Sequence, residues 1–140
     1  MPRDVVVFPD VEDLIRDYLA DELPRFGHDV PVHIQIPNPR PEAFVTVPRV
    51  GGPRRNLVVD TATVSADCWH LRSKQALELA QIVRGIINAL PGKVLDGYPV
   101  YRVDEFTGPG NLPDGLSSHA RYTQAFSIFI RGFSMEPIEP

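Results

Sequence analysis

Four consecutive residues, Asp67, Cys68, Trp69 and His70, include the side-chain types of a nucleophile and its base. They close an alternating run from Asn56 to His70 that reads as a strand, so Cys68 and His70 share one side while Asp67 turns away. A Cys–His enzyme also needs a group that orients the histidine and donors for an oxyanion, and the sequence signals neither. Cys68 is the only cysteine; it reads as a small buried apolar thiol and forms no disulfide within the chain. The four histidines, His28, His33, His70 and His119, are scattered. His28 and His33 are separated by Pro31 and lack the one-face presentation of a helical zinc pair. No metal site and no cofactor site is expected.

Gly51-Gly52-Pro53-Arg54-Arg55 offers glycines that let backbone amides approach an anion and two arginines that supply charge. It lacks the spaced glycines and the Lys-Ser/Thr of a phosphate loop, and reads as a solvated hairpin tip. Arg49, Arg54 and Arg55 then make a small basic rim suited to an acidic partner surface or to passing DNA. Trp69 reads as a packing residue at a strand end or as a subunit contact, because its large apolar area comes with one donor to satisfy.

Two helices and about five strands must position these residues. Asp10 is a good N-cap for a helix in which Val11, Leu14, Ile15, Tyr18 and Leu19 recur at helical spacing, ended by Pro24. Val32, Ile34 and Ile36 alternate in a short strand, and a second strand runs from Ala43 to Val50, with Pro48 marking an edge or a bulge. Val64, Ala66 and Cys68 give the third strand a small, smooth face suited to a helix lying across it. That helix spans Ser73 to Leu90, with Ser73 as its cap and Pro91-Gly92 as its stop. Strands from Tyr98 to Phe106 and through Phe126, Ile128 and Ile130 to Arg131 follow, separated by a Gly- and Pro-rich loop from Thr107 to Ala120.

The expected fold class is α+β, a mostly antiparallel sheet of about five strands with two main helices packed on one face. The chain's 140 residues suit one domain, taken as 1–132, followed by a proline-rich extended, untethered tail over 133–140. A formal charge of −4 argues against a protein whose main work is neutralising phosphates. No apolar run approaches a membrane span and the N-terminus lacks a secretory pattern, so folding in a cytoplasm is expected.

The order of these segments resembles the tail terminator (tail completion, or minor tail) proteins of long-tailed bacteriophages. The pieces that carry the resemblance are the helix Val11 to Leu23, the strand exit Arg49-Val50-Gly51-Gly52, the strand Val64 to Trp69 and the helix Ser73 to Leu90. The loop from Gly108-Pro109 to Pro113-Asp114 and a last strand from Arg121-Tyr122 to Ile130-Arg131-Gly132 complete it. The resemblance implies a structural virion protein, not an enzyme. It implies a homo-oligomer, a hexameric ring that caps the tail tube, stops its polymerisation and offers the surface joining the head, with DNA passing through without specific binding. The implied partners are the tail tube protein and a head-tail connector or head-completion protein. Candidate subunit or partner contacts are Arg49, Arg54, Arg55, Trp69, Pro109, Asn111, Asp114, His119 and Arg121, with Trp69 as packing support. Two rivals stand beside this reading: another neck component such as a head-closure protein, and a small enzyme using Cys68 and His70.

Overall fold

The computed structural model describes residues 4–138. Strand β1 (Val5–Val7) leads to helix α1 (Val11–Glu22), which starts where an Asp10 carboxylate oxygen accepts the Asp13 N–H at 3.2 Å. Val11, Ile15 and Leu19 form its buried stripe. Pro24 converts the end of α1 into a 3-10 turn, Leu23–Phe26, and Gly27 closes it in the left-handed region at φ 86°.

Four strands follow: β2 (Val32–His33), β3 (Ala43–Thr46), β4 (Arg49–Gly51) and β5 (Val59–His70). Helix α2 (Ser73–Asn88) crosses to β6 (Val94–Leu95), and the long hairpin β7 (Tyr98–Asn111) and β8 (Ala120–Arg131) leads into β9 (Phe133–Met135). Seven strands make one sheet in the order β2-β3-β5-β8-β7-β6, with β4 also paired to β5, while β1 and β9 form a separate two-stranded ribbon. β5 and β8 are antiparallel over twelve pairs, from Val59 opposite Arg131 to His70 opposite Ala120.

That register sorts the side chains. Ala62, Val64, Ala66 and Cys68 of β5 lie with Phe126, Ile128 and Ile130 of β8 in one core, beneath Leu79, Ala80, Val83 and Ile87 of α2 and Ile15 and Leu19 of α1. Both helices therefore cover the same face, as expected. Gln124, also wholly buried, donates from Nε2 to the Ala80 carbonyl at 2.9 Å and ties β8 to α2. On the opposite face Thr63 and Ser127, then Ser65, Asp67 and Thr123, form a hydrogen-bonded polar ladder.

Several expectations need correction. The sheet is larger than five strands and mixed, because β2 runs parallel to β3. The strand from Ala43 to Val50 divides at Pro48, which cannot donate to a ladder, and its two halves pair with different parts of β5. Ile34 and Ile36 lie outside β2 despite their alternation. Ser73 is the first helical residue and no cap: the Arg72 N–H donates to His70 Nδ1 at 3.0 Å, holding Arg72 extended at the capping position without a side-chain bond. The loop from Thr107 is strand as far as Asn111. Phe133 to Met135 are no untethered tail, since they pair with β1; Glu139 and Pro140 lie outside the described residues.

The small inner face of β5 makes a direct prediction. Ala66→Leu, forced under α2, lowers stability by about 2 kcal/mol in urea unfolding, whereas Thr63→Val on the opposite face changes it by less than half as much.

Candidate interaction surface

At one end of the outer sheet face, Trp69 is the centre of a layered cluster. Its ring is 1% exposed and stacks on Phe44 at 5.2 Å and 10°, and its Nε1 donates to Thr46 Oγ1 at 3.1 Å. The guanidinium groups of Arg40 and Arg121 lie over the same ring at 5.3 and 5.1 Å. Arg40 donates onward to Asp114 Oδ2 at 2.8 Å and to Ser117 Oγ at 3.1 Å, and Arg121 Nε donates to the Leu112 carbonyl at 2.6 Å. Buried His119 presents its edge to Phe44, and its Nε2 lies 2.7 Å from the Pro41 carbonyl, a contact that requires the proton on Nε2.

The hairpin tip 112–119 is thereby anchored to the segment before β3. The hydrogen bond from Arg40, then the Leu116 N–H, hold the Asp114 carboxyl below the usual carboxylate range. Leu112 and Leu116 remain exposed at the tip. Trp69, Asp114, His119 and Arg121, scattered in the sequence, are brought together here. Pro109 and Asn111 belong instead to β7, whose outer edge from Tyr101 onward pairs with no strand among the described residues and is interrupted by bulges.

At the other end of the sheet, on the side that carries the helices, Arg49 is engaged within its own chain. It grips the buried Asp60 carboxylate at 2.8 and 3.2 Å, donates to the Gly51 and Gly52 carbonyls, and offers its backbone N–H to Glu12. Gly52 sits at φ 100° where a Cβ would meet the Thr61 carbonyl oxygen at 2.0 Å, so the second glycine of the pair is required. Arg54 and Arg55 separate from Arg49. Arg54 lies over Phe8 at 5.0 Å, Arg55 and Arg102 each lie over Phe129 at 5.3 Å, and Arg131 lies over Phe133 at 5.5 Å. Arg55, Arg102 and Phe129, with Tyr101 and Val59, border a shallow cavity of about 290 Å³.

Sequence reasoning missed Arg40, Arg102, Phe129 and Arg131. Knowledge of the β5–β8–β7 register reveals the last three, but nothing local links Arg40 to Asp114. It also missed the ribbon, where Val5 opposes Met135 and Val7 opposes Phe133, placing four apolar side chains on one face, all substantially exposed.

The reactive-residue candidate separates cleanly from these surfaces. Cys68 is fully buried, and burial, reinforced by the charge of Asp67, pushes its thiol pKa up, away from the thiolate that chemistry requires. His70 Nδ1 accepts the Arg72 N–H. Among the described residues, no three His, Cys, Asp or Glu side chains converge as a metal site, and no helix is long and apolar enough to cross a membrane. The chain matches no known family model, and no curated protein matches it.

Four outcomes are expected. Arg49→Ala strands the buried Asp60 carboxylate and costs about 3 kcal/mol in denaturant unfolding. Cys68 in the native protein reacts with a soluble thiol reagent only after unfolding, read by the rate of colour release. Asp114→Asn speeds amide exchange over 112–119 while leaving the β5–β8 amides unchanged. Because the Asp114 pKa is depressed in the folded chain, its anchoring is present above the ordinary carboxylate range, and protection of the Leu116 amide is lost only as pH falls through the lowered value.

Proposed function

We propose that this chain is a structural tail terminator of a long-tailed bacteriophage, forming a ring that caps the tail tube, ends its polymerisation and presents the head-joining surface. The observation that carries this reading is the apolar face of the β1–β9 ribbon: Val5, Val7, Phe133 and Met135 share one face and are 45% to 65% exposed, with Phe133 also against Tyr98 and beneath Arg131. A two-stranded ribbon is marginal by itself, and a contiguous exposed apolar face is characteristic of an association surface. Leu112 and Leu116, at the far end of the β7–β8 hairpin, add a second exposed apolar element. Two different patches at opposite ends of one chain suit head-to-tail contacts, the kind from which closed rings are built. The succession of segments gives this association its virion context, and its partners are the tube protein and a head-side connector.

Electron microscopy of particles assembled without this protein tests the proposal. Overlong tails, restored to normal length when the protein is supplied, are expected. Tails of normal length beside leaking or unfilled heads contradict termination and assign the chain to the head-closure side of the neck.

A further inference from the structure

The chain carries four more acidic than basic residues, yet Arg54, Arg55, Arg102 and Arg131 gather at one end of the sheet. Each guanidinium lies over an aromatic ring, which fixes its position while leaving N–H groups at its edge. Arg102 pairs with Asp104 at 2.7 Å; Arg54, Arg55 and Arg131 have no carboxylate partner among the described residues. This is a preorganised anion surface in which Phe129, itself buried, lies beneath the two arginines and Tyr101 stands exposed beside them.

The same chain supplies a complementary segment. Beyond β9 come Glu136, Pro137, Ile138, Glu139 and Pro140, two carboxylates three residues apart with prolines between and after them. Ile138 is 89% exposed. In the extended left-handed helix that proline favours, residues three apart share a face and lie ~9 Å apart, and the conformation is adopted with little loss of entropy. Arg55 and Arg102 each lie 5.3 Å from the Phe129 ring centre, so their guanidinium carbons are at most about 11 Å apart. Two carboxylates can then meet the two guanidiniums, with Pro137 and Ile138 against the exposed Tyr101.

From Phe129 the backbone continues as strand, broken only at Gly132, as far as Met135, so the segment beyond Met135 would have to double back to meet this surface on its own chain. We propose that Glu136 and Glu139 of one copy dock on the Arg55–Phe129–Arg102 surface of a second copy. This rests on the reading of the chain as a ring subunit and names a contact that links neighbours. Because donor segment and acceptor surface are different parts of the chain, each copy gives one and receives one, as a closed ring requires.

The test is a titration of the full-length chain into a fluorescein-labelled peptide of residues 133–140, read by anisotropy. Saturable binding is expected, weakened at least tenfold when the peptide carries E136Q/E139Q or when the protein carries R55A/R102A, and declining with added salt. The peptide variants keep the result interpretable should the protein variant misfold. Mixing Tyr101→Cys chains with Ile138→Cys chains is expected to give a disulfide-linked dimer. Absence of binding, equal binding of the Gln peptide, or a single-stranded oligonucleotide that binds the same arginines more tightly than the peptide overturns the proposal, the last by making the surface a nucleic-acid contact. The peptide titration reads this contact alone and tail length reads termination, so either reading can fail without the other.

Discussion

The twelve-pair antiparallel register between β5 and β8 is the constraint on which the rest of the molecule depends. Side chains alternate with a period of two, so a slip of one residue would turn Ala62, Val64, Ala66 and Cys68 out of the core and bury the Thr63–Ser65–Asp67 ladder. In the observed register the small inner face lets α2 lie close, and the outer face is left free for polar and aromatic groups. The two ends of that outer face then become different surfaces. Trp69 and Arg121 are partners at one end; at the other, Val59 faces Arg131 and Phe129 lies between Thr61 and Arg102.

Both ends use the same physical device with opposite results. An arginine held over an aromatic ring loses little further freedom when it makes a hydrogen bond. Around Trp69 that capacity is turned inward: Arg40 and Arg121 are used to hold the hairpin tip, so a segment of turn-forming composition is fixed in place and its leucines face outward. Around Phe129 it is turned outward, because Arg54, Arg55 and Arg131 find no carboxylate among the described residues and Arg102 alone pairs, with Asp104.

Elements whose information is local were legible in the sequence. The helix from Ser73, the β5 alternation and the Asp10 cap depend on neighbours within a few residues and are present, although β5 begins at Val59 and not Asn56, and α2 ends at Asn88 and not Leu90. Elements fixed by distant partners were not. Phe133 to Met135 looked like a tail because its partner, β1, lies at the other end of the chain, and β7 continued past Thr107 because β8 supplied a ladder that composition cannot reveal. The candidate contacts divide in the same way. Arg54 and Arg55 were read from a local cluster, but Arg49 was drawn from it by Asp60, and Arg40 entered the Trp69 cluster from seventy-odd residues before Asp114. Ser73 failed as a cap for a local reason the pattern did not contain, the claim of His70 on the Arg72 amide.

The central claim is that this scaffold works by docking to copies of itself at the end of a tail tube. The most direct measurement is cryo-electron microscopy of purified tails with the protein bound. The account predicts a single closed ring at one end, with Val5, Val7, Phe133 and Met135 covered by a neighbouring molecule. Isolated copies along the tube, or a ring that leaves the ribbon face in solvent, would contradict it.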